Sequence, residues 1–418
     1  MHALLATIGS LGDLHPVLGL GMELRARGHS VTIATSESHR SIVEAAAFSF
    51  APIRPNLSLD PGRTRELFDQ RRGPERLIRD FVMPIVREMY EDLLPIVQNA
   101  EIFVASELIY PAAAISEKCS IPWLSLIMAP ASFFSIYDPP VLPPVSFLHE
   151  LRRLGPWTHL VFNGLFRLAT SSWSRPLRRL RLELGLSRGL NPIFDAKHSP
   201  YGSLAVFPPY LGRPQSDWPK SAIQTGFIFY DGTHQKSESL RRFLDGGEPP
   251  VVFTLGSAAV RAAGDFYQVA FEAVQKIGRR AIFLLGDNVA PRTSSADFYF
   301  AKYLPFSLVF PHAAAVVHQG GIGTCAQTLR AGCPSLVIPF GFDQLDNAYR
   351  MRRLGVARSL PLARLGVNAM IRELRTLLLS SDYKMKAFET SREIVRERGA
   401  QIAATAIERA HEAGHCPK

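Results

Sequence analysis

The chain is poor in cysteine, lacks any long unbroken apolar run and carries no recognisable leader. Cys119, Cys325, Cys333 and Cys416 are the four cysteines in 418 residues, and their spacing matches neither a zinc knuckle nor a disulfide framework. A reducing compartment, with the cytoplasm as the expected location, follows. The longest apolar stretch, residues 121–137, is broken by Pro122 and Pro130 and holds several hydroxyl side chains. It predicts core strand and loop rather than a membrane span. Met1 leads straight into a strand-like run at residues 3–8, without the basic region, apolar segment and small-residue site of an export signal. No internal repeat stands out.

A hydrophobic content of 47% and a charged content of 20% are those of a soluble globular protein. The length exceeds one ordinary core, so two domains are expected. The net charge of +10 suits anionic ligands or an acidic membrane surface, and charge alone does not choose between them. Nucleic acid has no support beyond that charge and is not an expected partner.

The most informative stretch is residues 313–347, AAAVVHQGGIGTCAQTLRAGCPSLVIPFGFDQLDN. Residues 314–317 form a buried strand, Gly320, Gly321 and Gly323 mark a turn, and residues 324–330 form a helix that Gly332 and Pro334 end. A second strand follows at 336–339. A glycine-lined helix start at the carboxyl end of a strand is where a doubly wound sheet binds phosphate, because unpaired N–H groups and the positive helix end converge there. His318, last on its strand, can add a ring N–H to the same anion.

The N-terminus repeats the plan: a strand, then Gly9-Ser10-Leu11-Gly12-Asp13-Leu14-His15-Pro16, then a helix at 17–27 and a strand at 31–34. The glycine spacing is not that of a dinucleotide fingerprint, and Pro16 sits where a close-packing glycine is wanted, which disfavours an oxidoreductase. Asp13 on this turn either faces a cleft, within reach of a substrate hydroxyl, or caps the helix. His15 is a second-choice site residue. Residues 64–99 read as helical, 101–106 and 123–128 as strands, and 111–119 as a helix between them. Prolines fix a loop at 131–147 whose aromatics, Phe133 and Phe134 among them, could line an apolar pocket.

Residues 147–188 hold eight arginines against Glu150 and Glu183, which is six of the ten net positive charges, interleaved with Trp157, Phe162, Phe166 and Trp173. Such a segment can lie on an anionic membrane or cover a greasy acceptor, but a solvated face with a core stripe is the favoured reading. The polar, glycine-rich stretch 233–249 is the expected linker between domains at 1–232 and 250–418. Beyond it come a strand at 250–255 ending in Gly256-Ser257, a helix at 266–276, a strand at 281–285, and helices at 368–379, 383–398 and 401–412. The last helices are expected to pack back across the cleft.

His-x-Gly-Gly-x-Gly-Thr at residues 318–324, Leu-x-x-Gly-x-Pro at 329–334 and Pro-x-x-x-Asp-Gln-x-x-Asn-Ala at 339–348 together resemble the donor signature of the UDP-glycosyltransferase superfamily. These are glycosyltransferases that use nucleotide diphosphate sugars and adopt the GT-B fold, an α/β architecture of two Rossmann-like parallel-sheet domains facing across a cleft. The Gly-Ser-Leu-Gly-Asp turn resembles their acceptor-domain opening. Residues 199–232 resemble the rhamnosyltransferases of rhamnolipid synthesis and their bacterial relatives.

The resemblance implies that Asp13 is the general base and that Gly12, His15, Phe133 and Phe134 meet the acceptor. Gly256, Ser257, His318, Gly320, Gly321, Ile322, Gly323 and Thr324 would hold the donor diphosphate, Tyr303 and Leu304 the base, and Asp343 and Gln344 the sugar. Phe306 replaces a glutamine of many relatives, and Ala326 replaces the ribose-binding glutamate of eukaryotic ones. The implied activity is inverting, metal-independent transfer of a hexose, rhamnose from dTDP-rhamnose or glucose from UDP-glucose, to a hydroxyl of a small hydrophobic acceptor such as a lipid, flavonoid or polyketide. No cofactor is implied, the nucleotide sugar being a cosubstrate. The alternatives are a nucleotide-sugar epimerase or hydrolase on the same fold, a noncatalytic partner subunit, or a basic nucleic-acid or membrane-binding protein.

Overall fold

The computed structural model describes residues 1–56, 61–143, 145–232 and 236–414. Its first sheet contains β1 (His2–Ala6), β2 (Ser30–Thr35), β3 (Ser49–Pro52), β4 (Ile102–Ser106), β5 (Trp123–Ile127), β6 (Ser203–Ala205) and β7 (Ala222–Gln224). They lie in the order β3-β2-β1-β4-β5-β6-β7 and every pairing is parallel. Leu4 of β1 sits beside Thr32 on one side and Phe103 on the other. Central strands of such a sheet are apolar on both faces because helices cover both. Here α1 (Leu11–Ala26) covers one face, and α2 (Val86–Val97) and α3 (Ala112–Cys119) the other. A further helix, α4 (Pro156–Thr170), follows β5 in the chain.

The second sheet contains β8 (Val251–Thr254), β9 (Ala281–Leu284), β10 (Phe298–Ala301), β11 (Ala315–His318), β12 (Ser335–Val337) and β13 (Ala357–Ser359). Its order is β10-β9-β8-β11-β12-β13, again all parallel. Its longer helices include α5 (Phe266–Lys276), α6 (Ile322–Arg330), α7 (Gln344–Leu354), α8 (Val367–Leu379) and α9 (Ser381–Ile394). The last helix, α10 (Gly399–Gly414), packs on α1, and its Ala403, Ala404 and Ile407 join the core of the first sheet. Glu408 of α10 ties it there by accepting from Arg27 Nη1 at 2.8 Å and pairing with His29 Nε2 at 2.9 Å. A separate apolar cluster joins the two halves: Ile127 and Phe207 meet Cys325, Leu329, Met351 and Ile394.

In each sheet the strand order reverses once, between β1 and β4 and between β8 and β11. Crevices of open parallel sheets form at the carboxyl ends of the strands flanking such a reversal. Gly9 to Asp13 follow β1, Gly256 and Ser257 follow β8, and His318 ends β11. Topology alone therefore places these segments at the two crevices.

Several expectations change. The first helix begins at Leu11 rather than at residue 17, because Ser10 is a competent cap; Pro16 lies inside the helix and leaves the Gly12 carbonyl without its i→i−4 donor. The helical pattern at 64–99 is broken into Pro61–Leu67, a short turn at Gly73–Glu75, a π-helical segment at Arg76–Val82, a 3-10 turn at Met83–Ile85 and α2. Pro74 and Pro84 interrupt its hydrogen bonding. Strands β3, β6, β7, β10 and β13 were not anticipated; each has three or four residues, too few to show a period. Within the expected linker, residues 233–235 lie outside the described residues. Its remainder holds a helix, Glu238–Asp245, whose cap Ser237 accepts from Leu240 N–H at 3.2 Å and whose Leu240 is buried against Val252 and Ile282.

Candidate active site

Gly9 has φ of +129°, and a Cβ there would lie 2.4 Å from Asp13 Oδ2. The turn needs glycine for both reasons. Ser10 caps α1, and its Oγ accepts from Gly12 N–H at 3.2 Å. Asp13 closes the capping box in return, its Oδ2 accepting from Ser10 N–H at 2.7 Å and Ser10 O–H at 3.1 Å. The carboxyl thus caps the helix, and the residue as a whole is half-buried. Burial pushes its pKa up to about 6, helped by the nearby Glu107 charge and opposed by the Ser10 bonds.

His318 is fully buried. Its Nδ1 accepts the Gly320 N–H at 3.0 Å, so in the neutral ring Nε2 carries the proton. That Nε2 has no hydrogen-bond partner among the described residues. Burial drives the ring's pKa down to about 3, so the imidazole is neutral and presents one unsatisfied donor. Gly320, at φ of +90°, supplies the N–H that sets this tautomer; a Cβ there would lie 2.7 Å from Val337 Cγ1. Gly321 is the N-cap of α6, whose first backbone N–H groups have no intrahelical acceptor.

Gln319 is a residue that the sequence reading passed over. Its Nε2 is 3.4 Å from Thr324 Oγ1, and its Oε1 has no partner among the described residues. A Cβ on Gly256 would lie 2.4 Å from that Nε2, and one on Gly321 2.8 Å from it. Two glycines thus make room for one amide between β8 and α6. The available signal was its place inside His-x-Gly-Gly, where a polar residue enters a turn whose glycines leave space.

Asp343 Oδ2 accepts from Asn347 Nδ2 at 2.7 Å, and the same amide donates to Gly320 O at 2.9 Å. Burial pushes the Asp343 pKa up to about 7; the Asp13 and Glu107 charges add to this, and the Asn347 bond opposes it. Acidic groups of the first half therefore act on Asp343 across the cleft. Gln344 uses its Oε1 to accept from Phe340 N–H at 2.8 Å and Gly341 N–H at 3.2 Å. Its oxygen is thereby committed to the turn, and any sugar contact falls to its amide nitrogen.

The halves touch directly at the site. Leu11 N–H donates to Ser257 Oγ at 3.2 Å, and a Cβ on Gly323 would lie 3.4 Å from Gly12 Cα. The two helix starts, of α1 and α6, oppose one another with only glycine between them. Further out, Asp346, Arg350 and Asp138 form a buried ion network, with Arg350 Nε donating to Asp346 Oδ2 at 2.6 Å and Nη1 to Leu211 O at 2.7 Å. Val141 N–H also donates to Asp346 Oδ1 at 3.0 Å. This network clasps the 138–141 loop onto α7, and no local sequence pattern announced it.

The other anticipated residues are dispersed. Tyr303 is 51% exposed; partial burial of its hydroxyl, and then the nearby Tyr230 phenol, raise its pKa. Leu304 packs against the apolar cluster that contains Val309 and Phe310, and Phe306 stacks on Phe310 at 4.4 Å. The His15 ring lies 5.6 Å from that of Tyr230. Phe133 is stacked on Trp218 at 3.8 Å and on His198 at 5.3 Å, inside the first half rather than on an open wall. Phe134, at φ of +49°, meets Phe194 at 4.8 Å with Lys197 Nζ over its ring. Among the described residues no group of three or more His, Cys, Asp or Glu side chains is placed to hold a metal ion.

Two all-parallel sheets covered by helices, meeting at glycine-started helices, define the GT-B architecture. Comparison agrees. Residues 3–126 match the glycosyltransferase family 28 N-terminal domain, and residues 280–408 match the C-terminal domain of erythromycin biosynthesis protein CIII-like enzymes. The chain is 32% identical to the O-mycaminosyltylonolide 6-deoxyallosyltransferase of Streptomyces fradiae over 98% of this chain and 97% of that one. It is 27% identical to the vancomycin aglycone glucosyltransferase of Amycolatopsis orientalis over 85% of each. Among solved structures, the kitacinnamycin glycosyltransferase superposes with a TM-score of 0.72 at 20% identity, covering 98% of each chain. The spinosyn rhamnosyltransferase SpnG superposes at 0.68 and 20% identity, covering 97% of this chain and 99% of that one. The chain belongs to the GT-B glycosyltransferases of the UDP-glycosyltransferase superfamily.

Proposed function

We propose that the protein is an inverting glycosyltransferase that moves a hexose from a nucleotide diphosphate donor to a hydroxyl of a small hydrophobic natural product. The observation that carries the reading is the neutral, buried His318, whose Nε2–H has no partner beside the start of α6. A diphosphate oxygen would satisfy that donor together with the free N–H groups of Ile322, Gly323 and Thr324, and Gly256 and Ser257 face the same space. Charge developing on the leaving diphosphate would meet dipoles already in place, so the reaction needs no metal in this reading.

Asp13, on the opposite lip, takes the acceptor proton as the acceptor oxygen bonds to the anomeric carbon and the bond from that carbon to the diphosphate breaks. No covalent intermediate with the enzyme forms. Asp343 and the Gln344 amide hold sugar hydroxyls, and Tyr303 and Leu304 meet the base. Gly12, His15 and Phe134 border the acceptor in this reading, while Phe133 is a core residue behind that wall. The deoxyhexosyl and glucosyl transfers in the names of the relatives support dTDP-rhamnose and UDP-glucose as the first donors to test, with a lipid, flavonoid or polyketide alcohol as acceptor. The reaction belongs in the cytoplasm in this reading, with peripheral placement at the inner face of the membrane as the finer assignment.

A panel of dTDP- and UDP-sugars, screened by thermal shift and then incubated with and without acceptor, tests the reading, because a ligand bound to the native state raises the melting temperature. Glycosylated acceptor with inverted anomeric configuration is the expected product. Epimerised or hydrolysed donor at equal rates without acceptor would assign the protein to the epimerase or hydrolase alternative. Absence of any donor shift would favour a noncatalytic subunit.

A further inference from the structure

Helix α4 is inside out. Its buried residues are Thr158, His159 and Thr170, all polar. Thr158 Oγ1 lies 3.1 Å from Leu151 O and 2.9 Å from Gly155 O, and Thr170 Oγ1 donates to Phe166 O at 2.8 Å. The outward residues are Trp157 (62% exposed), Leu160 (61%), Leu165 (62%) and Leu168 (72%), with Val161 among them. Their spacing of three and four puts them on one stripe of the helix. The 3-10 segment before it, Ser146–Leu154, extends the surface with exposed Phe147 and Leu154. Single exposed apolar residues need no explanation, but a contiguous patch of large ones marks an interaction surface.

We infer that this face of residues 147–168 is a membrane-docking surface that lies in the interface of an anionic bilayer. The charge around it selects the occupant. Arg152 and Arg153 precede the helix and Arg175, Arg178 and Arg179 follow it, so cations border the apolar stripe at both ends. Arg153, Arg175, Arg179 and Arg188 are exposed; the pairs Arg153–Glu150 and Arg179–Glu183 are solvent-facing and leave the local surplus of positive charge in place. A basic helix with a Trp and Leu face of this kind binds acyl chains with its stripe and anionic headgroups with its rim. A two-fold contact with a second copy would oppose the same positive patch to itself. No helix among the described residues is long and apolar enough to cross a membrane, so the helix lies on the bilayer. The inference is independent of the sugar-transfer reading.

The test is flotation of the full chain with vesicles of phosphatidylcholine alone and of about three parts phosphatidylcholine to one part phosphatidylglycerol. Binding to the anionic vesicles is expected, weakening as salt rises, with Trp157 quenched by brominated lipid and a Trp157→Phe protein as control. The exposed-face variant Leu160→Asn/Leu165→Asn/Leu168→Asn and the rim variant Arg153→Gln/Arg175→Gln/Arg179→Gln should each lower partitioning on the order of ten-fold. Both should keep the wild-type melting temperature and donor-induced shift, which separates loss of docking from failure of the donor site. No flotation on anionic vesicles at low salt, or equal flotation by the variants, overturns the inference. Vesicle-free self-association that the asparagine variant abolishes, without lipid binding, would assign the face to a second copy instead. Capture of an acidic protein partner in place of lipid would likewise overturn it.

Discussion

Gly323, in the first turn of α6, faces Gly12 of α1 so closely that a Cβ added to it would sit 3.4 Å from the Gly12 Cα. The contact brings the positive ends of two helices from two different sheets to one point. The other glycines of the two turns serve their own half: a Cβ on Gly9 would meet Asp13, and one on Gly320 would meet Val337.

Replacing His318 with Ala removes a side-chain donor that has no partner among the described residues. Turnover should fall by about 10²–10³, as for other donors to a developing oxyanion, while melting temperature without ligand stays close to wild type. Steady-state kinetics and a donor titration check this. Unchanged kcat in the folded variant would remove His318 from the diphosphate site.

Asp13 is ionised only above its raised pKa of about 6. Transfer to an alcohol should therefore lose rate as pH falls through that value, because a protonated carboxyl accepts no proton. Asp13→Asn keeps a capping side chain and should abolish the acidic limb together with most of the alcohol transfer. A phenol, which ionises partly unaided, should suffer less. Near-wild-type alcohol transfer by the variant would make His15 the next residue to test.

Asp343 has a folded pKa of about 7, above the ordinary carboxylate value. Its stabilising contribution is complete below the unfolded pKa and is lost as pH rises through about 7. Asp343→Asn should accordingly raise stability at pH 8 by roughly 1–2 kcal/mol, with the gain vanishing near pH 4. Denaturant melts at the two values measure it. A stability change of equal size at both would show that burial of the charge is not the cause.

Arg350 is fully buried between Asp346 and Asp138. Arg350→Ala leaves two carboxylates without their cation and should cost about 3–5 kcal/mol. Asp138→Asn, which keeps an acceptor oxygen, should cost less. Chemical denaturation of both variants decides whether the clasp on the 138–141 loop has this weight.

Gly256→Ala would force a left-handed backbone, at φ of +65°, onto a residue with a Cβ that meets Gln319 Nε2 at 2.4 Å. A loss of about 1–3 kcal/mol is expected, along with weaker donor binding as Gln319 is displaced. Gln319→Ala in the same background should recover part of the stability, because it removes the clashing amide.

The glycine turns were legible in the sequence because their function is local: a left-handed residue, a close approach and a helix start leave their marks within a few positions. The strand–turn–helix units at residues 1–34 and 313–339 therefore led to the correct fold, and the turns that follow β1 and β11 could be located in advance. Contacts made by the crossing of distant segments left no such mark. Arg350 meets Asp138 from 212 positions away, and α10 returns to α1 across nearly the whole chain. Asp13 looked like a choice between base and cap; the fold gave it the cap through Ser10 and left the residue half-buried. Helix α4 makes the same point most sharply. Its apolar stripe has the period of any core helix, and periodicity records which residues share a face but not what covers that face. Only the packing of Thr158, His159 and Thr170 inward showed that the stripe points to solvent.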